Sequence, residues 1–195
     1  LRSMEPYITG LVQLTKDFAE AYGQAKKEKS WVDFNDLEHF CLQILLDPVS
    51  TPEHIIRSDA AEELRHTFKE ILMDEYQDTN GVQEMIARLI ACPDNRFMVG
   101  DIKQSIYRFR LADPTLFLEK YRAYSRDDWA EQRCIDLARN FRSDRHILEA
   151  INDVFSRIMT TETAGMPYGE RERLYAGRKE CTDDSWLGGT VEVRL

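Results

Sequence analysis

The sequence predicts an α/β fold: a parallel sheet with flanking helices, preceded by an all-helical N-terminal part. Three observations carry this. The run Ile71-Leu72-Met73-Asp74-Glu75-Tyr76-Gln77-Asp78 is a short apolar stretch that ends in two adjacent acids. About one helix later a second apolar run, Phe97-Met98-Val99, ends in Gly100-Asp101. Between them Val82 to Ile90 has helical spacing, and two strands joined by a helix imply a right-handed parallel crossover. Polar groups at the carboxyl ends of such strands lie where open α/β sheets bind ligands. Paired acids there suit a magnesium–nucleotide site, one carboxylate holding the metal's shell and the next taking a proton from water. An acidic pair alone is more often a solvated turn or a helix cap.

The remaining elements follow in order. Leu11, Leu14, Phe18, Tyr22 and Ala25 recur at helical spacing and predict an amphipathic helix. Lys26-Lys27-Glu28-Lys29 sits at its end, where cations suit the helix dipole; the cluster reads as a solvated helix end, with DNA contact as the alternative. Asp33 is the expected N-cap of a second helix whose apolar face is Phe34, Leu37, Cys41, Ile44 and Leu45, with Pro48 marking its end. Thr51-Pro52 is expected to open a third, with Pro in the first turn. Glu62, Glu63, Arg65 and Lys69 surround Leu64 and Phe68 as on a surface helix. Beyond the two strands, Pro114 starts a helix bearing Leu116, Phe117 and Tyr121, and Asp127-Asp128 reads as a loop. Cys134 to Ala138 reads as a third strand, and Ser143 as the cap of a helix with Ile147, Leu148, Ile151, Val154, Phe155 and Ile158. Thr160 to Trp186, broken by Gly and Pro, reads as loop or linker, and Gly189 to Leu195 as a strand.

Composition narrows the class. With 195 residues, 43% hydrophobic, the chain can bury a core and is not a disordered segment. No apolar run approaches membrane-spanning length and no signal-peptide pattern opens it, so a cytoplasmic protein is expected. The first residue is Leu1, and the chain is expected to be excised from a longer one. Cys41, Cys92, Cys134 and Cys181 are scattered and form no metal-binding spacing, which fits reduced thiols. Net charge is −9, yet Arg96 to Arg145 carries eleven Lys/Arg against eight Asp/Glu. A locally basic segment on an acidic chain fits a DNA track beside a solvated acidic surface.

Four segments in order resemble one family. Asp74-Glu75-Tyr76-Gln77-Asp78-Thr79-Asn80 resembles the Walker B motif of the UvrD/Rep/PcrA superfamily 1 DNA helicases. Val99 to Arg110 resembles their third motif, Asn140-Phe141-Arg142-Ser143 their fourth, and Asp33-Phe34-Asn35-Asp36-Leu37 an element upstream of Walker B. Within that family, Lys27 to His39, Leu137 to Ser143 and Ala150 to Phe155 look like the helicase–nuclease branch, whose members act with an AddB-like partner. The resemblance implies a partial RecA-like sheet of P-loop NTPase type. It divides the chain into a helical segment at 1–70, the Walker B and third-motif part of the first lobe at 71–130, and the start of the second lobe at 131–195. It implies ATP and Mg2+ as ligands, single-stranded and duplex DNA as substrates, and a role in double-strand break repair and recombination.

Roles carry over by position. Asp74 is implied to hold magnesium, Glu75 to orient and deprotonate the attacking water, and Gln104 to sense the γ-phosphate. Arg110 is implied to help fix the acidic site, Arg142 to act as an arginine finger, and Phe141 to stack on adenine. Tyr107 and Phe109 are implied to stack on unpaired bases, flanked by Lys103 and Arg108; many relatives carry Trp at the Phe109 position. The bland alternatives are a core aromatic for Tyr107 and helix capping or pairing with Asp144 for Arg142. The physical pattern agrees with the family reading: Gln104 and Phe109 share one short segment after a strand, so nucleotide sensing and base stacking can move together.

One element departs from the family pattern. No Gly is followed by Lys, so no Gly-x-x-x-x-Gly-Lys-Ser/Thr phosphate loop occurs. The later helicase motifs and the nuclease are also missing. The chain alone is therefore expected not to hydrolyse ATP, and its sheet to carry an exposed edge that favours self-association. The alternative is an ATPase-dead RecA-like module that binds DNA or protein; a plain helical scaffold explains none of the four segments.

Overall fold

The computed structural model describes residues 4–177, and the strand expected at 189–195 lies outside them. The chain divides into two compact units, Leu1–Phe117 and Leu118–Leu195. Among the described residues the architecture is mixed helix and strand, with two small parallel sheets.

The first unit begins with α1 (Glu5–Lys29), closed by Ser30 in the left-handed conformation. The predicted helix forms, but none of its residues is buried; Leu11, Leu14 and Phe18 stay exposed. Asp33 caps α2 (Phe34–Leu45) in a reciprocal box with Asp36: each side chain accepts from the other's backbone amide at 2.9 Å. Lys26 clamps this corner, its Nζ 2.9 Å from Asp33 and 2.6 Å from Asp36. Hydrogen bonds from Lys26 and the Asp36 amide hold the Asp33 carboxyl down at about 2. The sign follows from that depression: the clamp stabilises fully above the ordinary carboxylate value near 4 and is lost as pH falls toward 2. Melts between pH 6 and 2 are expected to show a steeper acid loss in the native protein than in Lys26→Met, and parallel curves would remove the clamp from the account.

The buried stripe of α2 matches the expected one only at Cys41 and Leu45. Leu45 is buried, with Cys41, Leu42 and Leu46 packed near it, whereas Phe34, Leu37 and Ile44 are exposed. The partners are α3 (Asp59–Thr67) and α4 (Gly81–Ile90), which supply Ala61 and Leu89 to the same core. Apolar residues occupy two sides of α2, and the side that meets α3 and α4 is buried.

The helix expected at Thr51-Pro52 starts later. Thr51 and His54 pair across a tight turn, Ser50 Oγ bonds both backbone groups of Ile56, and Ser58 caps α3 at 3.2 Å from the Ala61 amide. These side-chain bonds offer the backbone an alternative to helix until a true N-cap is reached.

Strands β1 (Ile71–Met73) and β2 (Arg96–Met98) pair in parallel, Leu72 opposite Phe97, with α4 between them in sequence. Asn80 caps α4 in a box with Gln83. Tyr76, just past β1, is buried and donates to Glu84 at 2.7 Å, and Arg96 lies 3.2 Å from the other Glu84 oxygen. A buried carboxylate paired on both oxygens pins the turn after β1 to α4.

Helix α5 (Pro114–Ala123) contains the division between the units. In the second unit the strand expected over Cys134 to Ala138 is not formed. Strand β3 is Arg139–Asn140 and pairs in parallel with β4 (Tyr175–Ala176). Asp136 and Cys134 instead take side-chain partners, Arg126 at 2.9 Å from Asp136, and among the described residues no neighbouring strand offers a ladder there. The predicted linker holds β4 and a short helix that follows α6 (Arg145–Ile158), namely α7 (Thr161–Ala164). Asp144 rather than Ser143 caps α6. Buried Asn152 bonds both backbone groups of Leu174, which sets β4 beside β3. No helix among the described residues is long and apolar enough to cross a membrane.

Candidate functional site

Asp74 and Glu75 follow the last residue of β1, at its carboxyl end. Asp74 Oδ1 accepts from the Glu75 amide at 2.9 Å, and both side chains are exposed. Glu75 has φ 49° and ψ 41°, a left-handed conformation that disfavours any residue with a Cβ by about 1–2 kcal/mol. Strain of this kind persists only where the surroundings over-determine it. Here the tie is Gln77, only 1% exposed, whose Nε2 donates to Glu75 Oε2 at 2.6 Å.

The other end of the same amide crosses to β2. Gln77 Oε1 accepts from the Asp101 amide at 3.0 Å. Asp101 then organises the next turn: Oδ1 accepts from the Lys103 amide at 3.1 Å and lies 2.8 Å from Lys103 Nζ, while Oδ2 accepts from Gln104 Nε2 at 3.2 Å. One connected chain thus runs from Glu75 through Gln77 and Asp101 to Gln104. The two sequence-predicted residues at its ends are brought into one network, and the two middle members were missed. The signal was present: a Gln two residues beyond an acidic pair, and a Gly-Asp at the end of the next strand.

Gly100 is required by this close approach. A Cβ built there lies 2.5 Å from Gln77 Oε1 and 3.0 Å from the Phe117 ring. Gly100→Ala is therefore expected to destabilise the fold by about 1–3 kcal/mol, read by denaturant unfolding. An unchanged midpoint would mean that Gln77 moves aside freely.

The segment after Gln104 carries the aromatic pair. Tyr107 and Phe109 have ring centroids 5.9 Å apart, and the Arg110 guanidinium lies over both, at 5.2 and 5.6 Å. Phe109 is 77% exposed and Tyr107 37%. Arg108 is exposed. Lys103 points inward to Asp101, with its side chain 12% exposed. The face therefore offers π-surfaces and guanidinium groups, a chemistry suited to stacked bases and phosphates.

In the second unit, Asn140 Oδ1 accepts from the amides of Arg142 and Ser143, at 2.9 and 2.8 Å. That turn presents Arg142 and Phe141 outward, both exposed. The Phe141 ring packs so closely on Gly177 that a Cβ there would lie 2.6 Å from it.

A magnesium ion fits the donor set at β1. Magnesium keeps several waters and needs one or two carboxylates plus phosphate oxygens, and the adjacent exposed carboxylates of Asp74 and Glu75 supply that chemistry. No cluster of three His, Cys, Asp or Glu side chains able to form an all-protein cage occurs among the described residues.

Comparison with known proteins agrees with the family resemblance. The whole chain aligns at 46% identity over 197 residues with the A component of the ATP-dependent helicase/nuclease of Desulforamulus reducens. It aligns at 51% over 200 residues with the protein of that name from Desulforudis audaxviator, and at 47% over 198 residues with the one from Oceanobacillus iheyensis. The chain spans 16% of the length of each of these relatives. Residues 7–125 match the UvrD/REP helicase N-terminal domain. That match covers more than half of the chain, which therefore belongs to the UvrD/REP helicase N-terminal domain family.

Proposed function

We propose that this chain is part of an AddA-like, ATP-driven DNA helicase that translocates on single-stranded DNA and unwinds duplex in double-strand break repair and recombination. The carrying observation is the connected network from Glu75 to Gln104 at the ends of two parallel strands, continuous in sequence with the exposed Phe109. On this reading Glu75 orients the attacking water and accepts its proton, and Asp74 holds the magnesium shell. Bound magnesium would neutralise charge on the phosphates. Gln104 senses the γ-phosphate; Arg110, expected to help fix the acidic site, lies instead over the Tyr107 and Phe109 rings and steadies that pair. Arg142 supplies positive charge to the transition state, and Phe141 a ring face to adenine. Tyr107 and Phe109 stack on bases beside Arg108, each stack being worth roughly 1–3 kcal/mol, while Lys103, expected beside them, is held inward on Asp101. The relatives are named as one component of a larger assembly, which supports an AddB-like partner, and the setting proposed is cytoplasmic. Residues 1–70 are proposed to lead into the first RecA-like lobe, 71–130 to belong to it, and 131–195 to open the second.

The chain by itself is proposed to be inactive, since no phosphate-cradling Gly-Lys occurs in it. This favours a second reading for the isolated piece, an ATPase-dead module that binds DNA or protein. Phosphate release from magnesium-ATP, with and without a single-stranded oligonucleotide, separates the cases. DNA-stimulated turnover is expected in the full-length protein and none in this chain. Turnover by the chain that vanishes in Glu75→Gln would overturn its proposed inactivity, and a full-length protein that DNA does not stimulate would overturn the motor.

A further inference from the structure

We propose that Gln77 is the residue that couples the catalytic carboxylate to the nucleotide-sensing turn. Its carboxamide makes two short bonds with opposite polarity, Nε2 donating to Glu75 Oε2 at 2.6 Å and Oε1 accepting from the Asp101 amide at 3.0 Å, and Nε2 has a longer contact with Asp78 Oδ2 at 3.4 Å. A carboxamide can donate to a carboxylate through its nitrogen and accept from a backbone amide through its oxygen at once. Its burial and the missing Cβ at Gly100 leave the group little freedom to take other partners. Glu75 sits in a left-handed conformation, so its side-chain direction depends on this restraint rather than on a relaxed backbone. Asp101 carries the restraint on to Lys103 and Gln104. A shift of the Gln104 turn therefore moves the Asp101 amide, the Gln77 carboxamide and the Glu75 carboxylate together. Gln77 acts through the Glu75 carboxylate and is a positioning residue.

The inference rests on the reading of Glu75 as the hydrolytic base, and the test keeps the two apart. In the full-length protein, Gln77→Met keeps the length and loses both bonds. Gln77→Glu keeps the acceptor for Asp101 and loses the donor to Glu75. Steady-state turnover of magnesium-ATP is measured with and without a single-stranded oligonucleotide, for each variant, for Gln104→Ala, for the Gln77→Met/Gln104→Ala double variant and for Glu75→Gln. The expected result is a fall in kcat of about tenfold or more in both Gln77 variants, with KM for ATP nearly unchanged and stimulation by DNA largely lost. The double variant is expected to be no worse than the more damaged single one, as groups acting as a unit behave. Thermal melts confirm folding, and Gln77→Glu carries the test where Gln77→Met does not fold. Native kcat and DNA stimulation in the Gln77 variants, or strictly additive effects with Gln104→Ala, would overturn the coupling while Glu75→Gln still abolishes turnover. Retained turnover in Glu75→Gln would overturn the reading beneath it.

Discussion

Glu75→Gln in the full-length protein is expected to lower DNA-stimulated ATP turnover by about a hundredfold or more, the usual contribution of a positioned general base. The substitution removes the charge and the basicity and little else. A Gln at this position still presents an oxygen to Gln77 Nε2, now 2.6 Å from the Glu75 carboxylate, so no buried donor is orphaned. The strained backbone also stays as it is. Stability should therefore change by less than about 1 kcal/mol. A large rate loss with an unchanged melting temperature assigns chemistry to Glu75; equal losses of rate and stability would make it a structural residue.

Arg142→Ala is expected to slow turnover about a thousandfold, the lower range for an arginine finger. The argument is geometric as well as electrostatic. Asn140 Oδ1 binds the amides of both Arg142 and Ser143 and so fixes the turn from which the guanidinium projects. Arg142→Lys should recover little, because an ammonium cannot reproduce the planar two-point contact with phosphate oxygens. Asn140→Ala should reproduce part of the defect by loosening the turn. Single-turnover phosphate release at saturating ATP is the measurement, and native rates in Arg142→Ala would remove the residue from the catalytic set.

Much of the first unit was legible along the chain because its signals are local. Asp33 and the acids after β1 lie within a few residues of what they organise. The apolar runs that became β1 and β2 are flanked by their own turn residues, and α4 has an unbroken helical period. The four motif segments, each contiguous, were enough to name a family. Where local signals competed, the reading failed. Thr51-Pro52 resembles a helix start, yet Ser50 and Ser58 hold the backbone otherwise. Cys134 to Ala138 has strand composition but forms no strand: the Cys134 amide makes a single bond to the Ser125 carbonyl, and the ladder with β4, which arrives from 36 residues away, begins only at the Ala138 carbonyl.

By itself, the sequence determined the order of elements in the first unit, the acidic pair at a strand end, the aromatic and basic segment after the next strand, and the family. Each is a matter of neighbours within one turn or one strand. The tertiary structure decided which apolar side of α2 is buried, the left-handed turn at Glu75 and the need for glycine at position 100. It also decided that Gln77, 24 residues from Asp101 in sequence, joins the two strand ends. The reason is physical: a side chain's hydrogen-bond partner is set by which backbones packing brings within about 3 Å, and no local pattern encodes that distance.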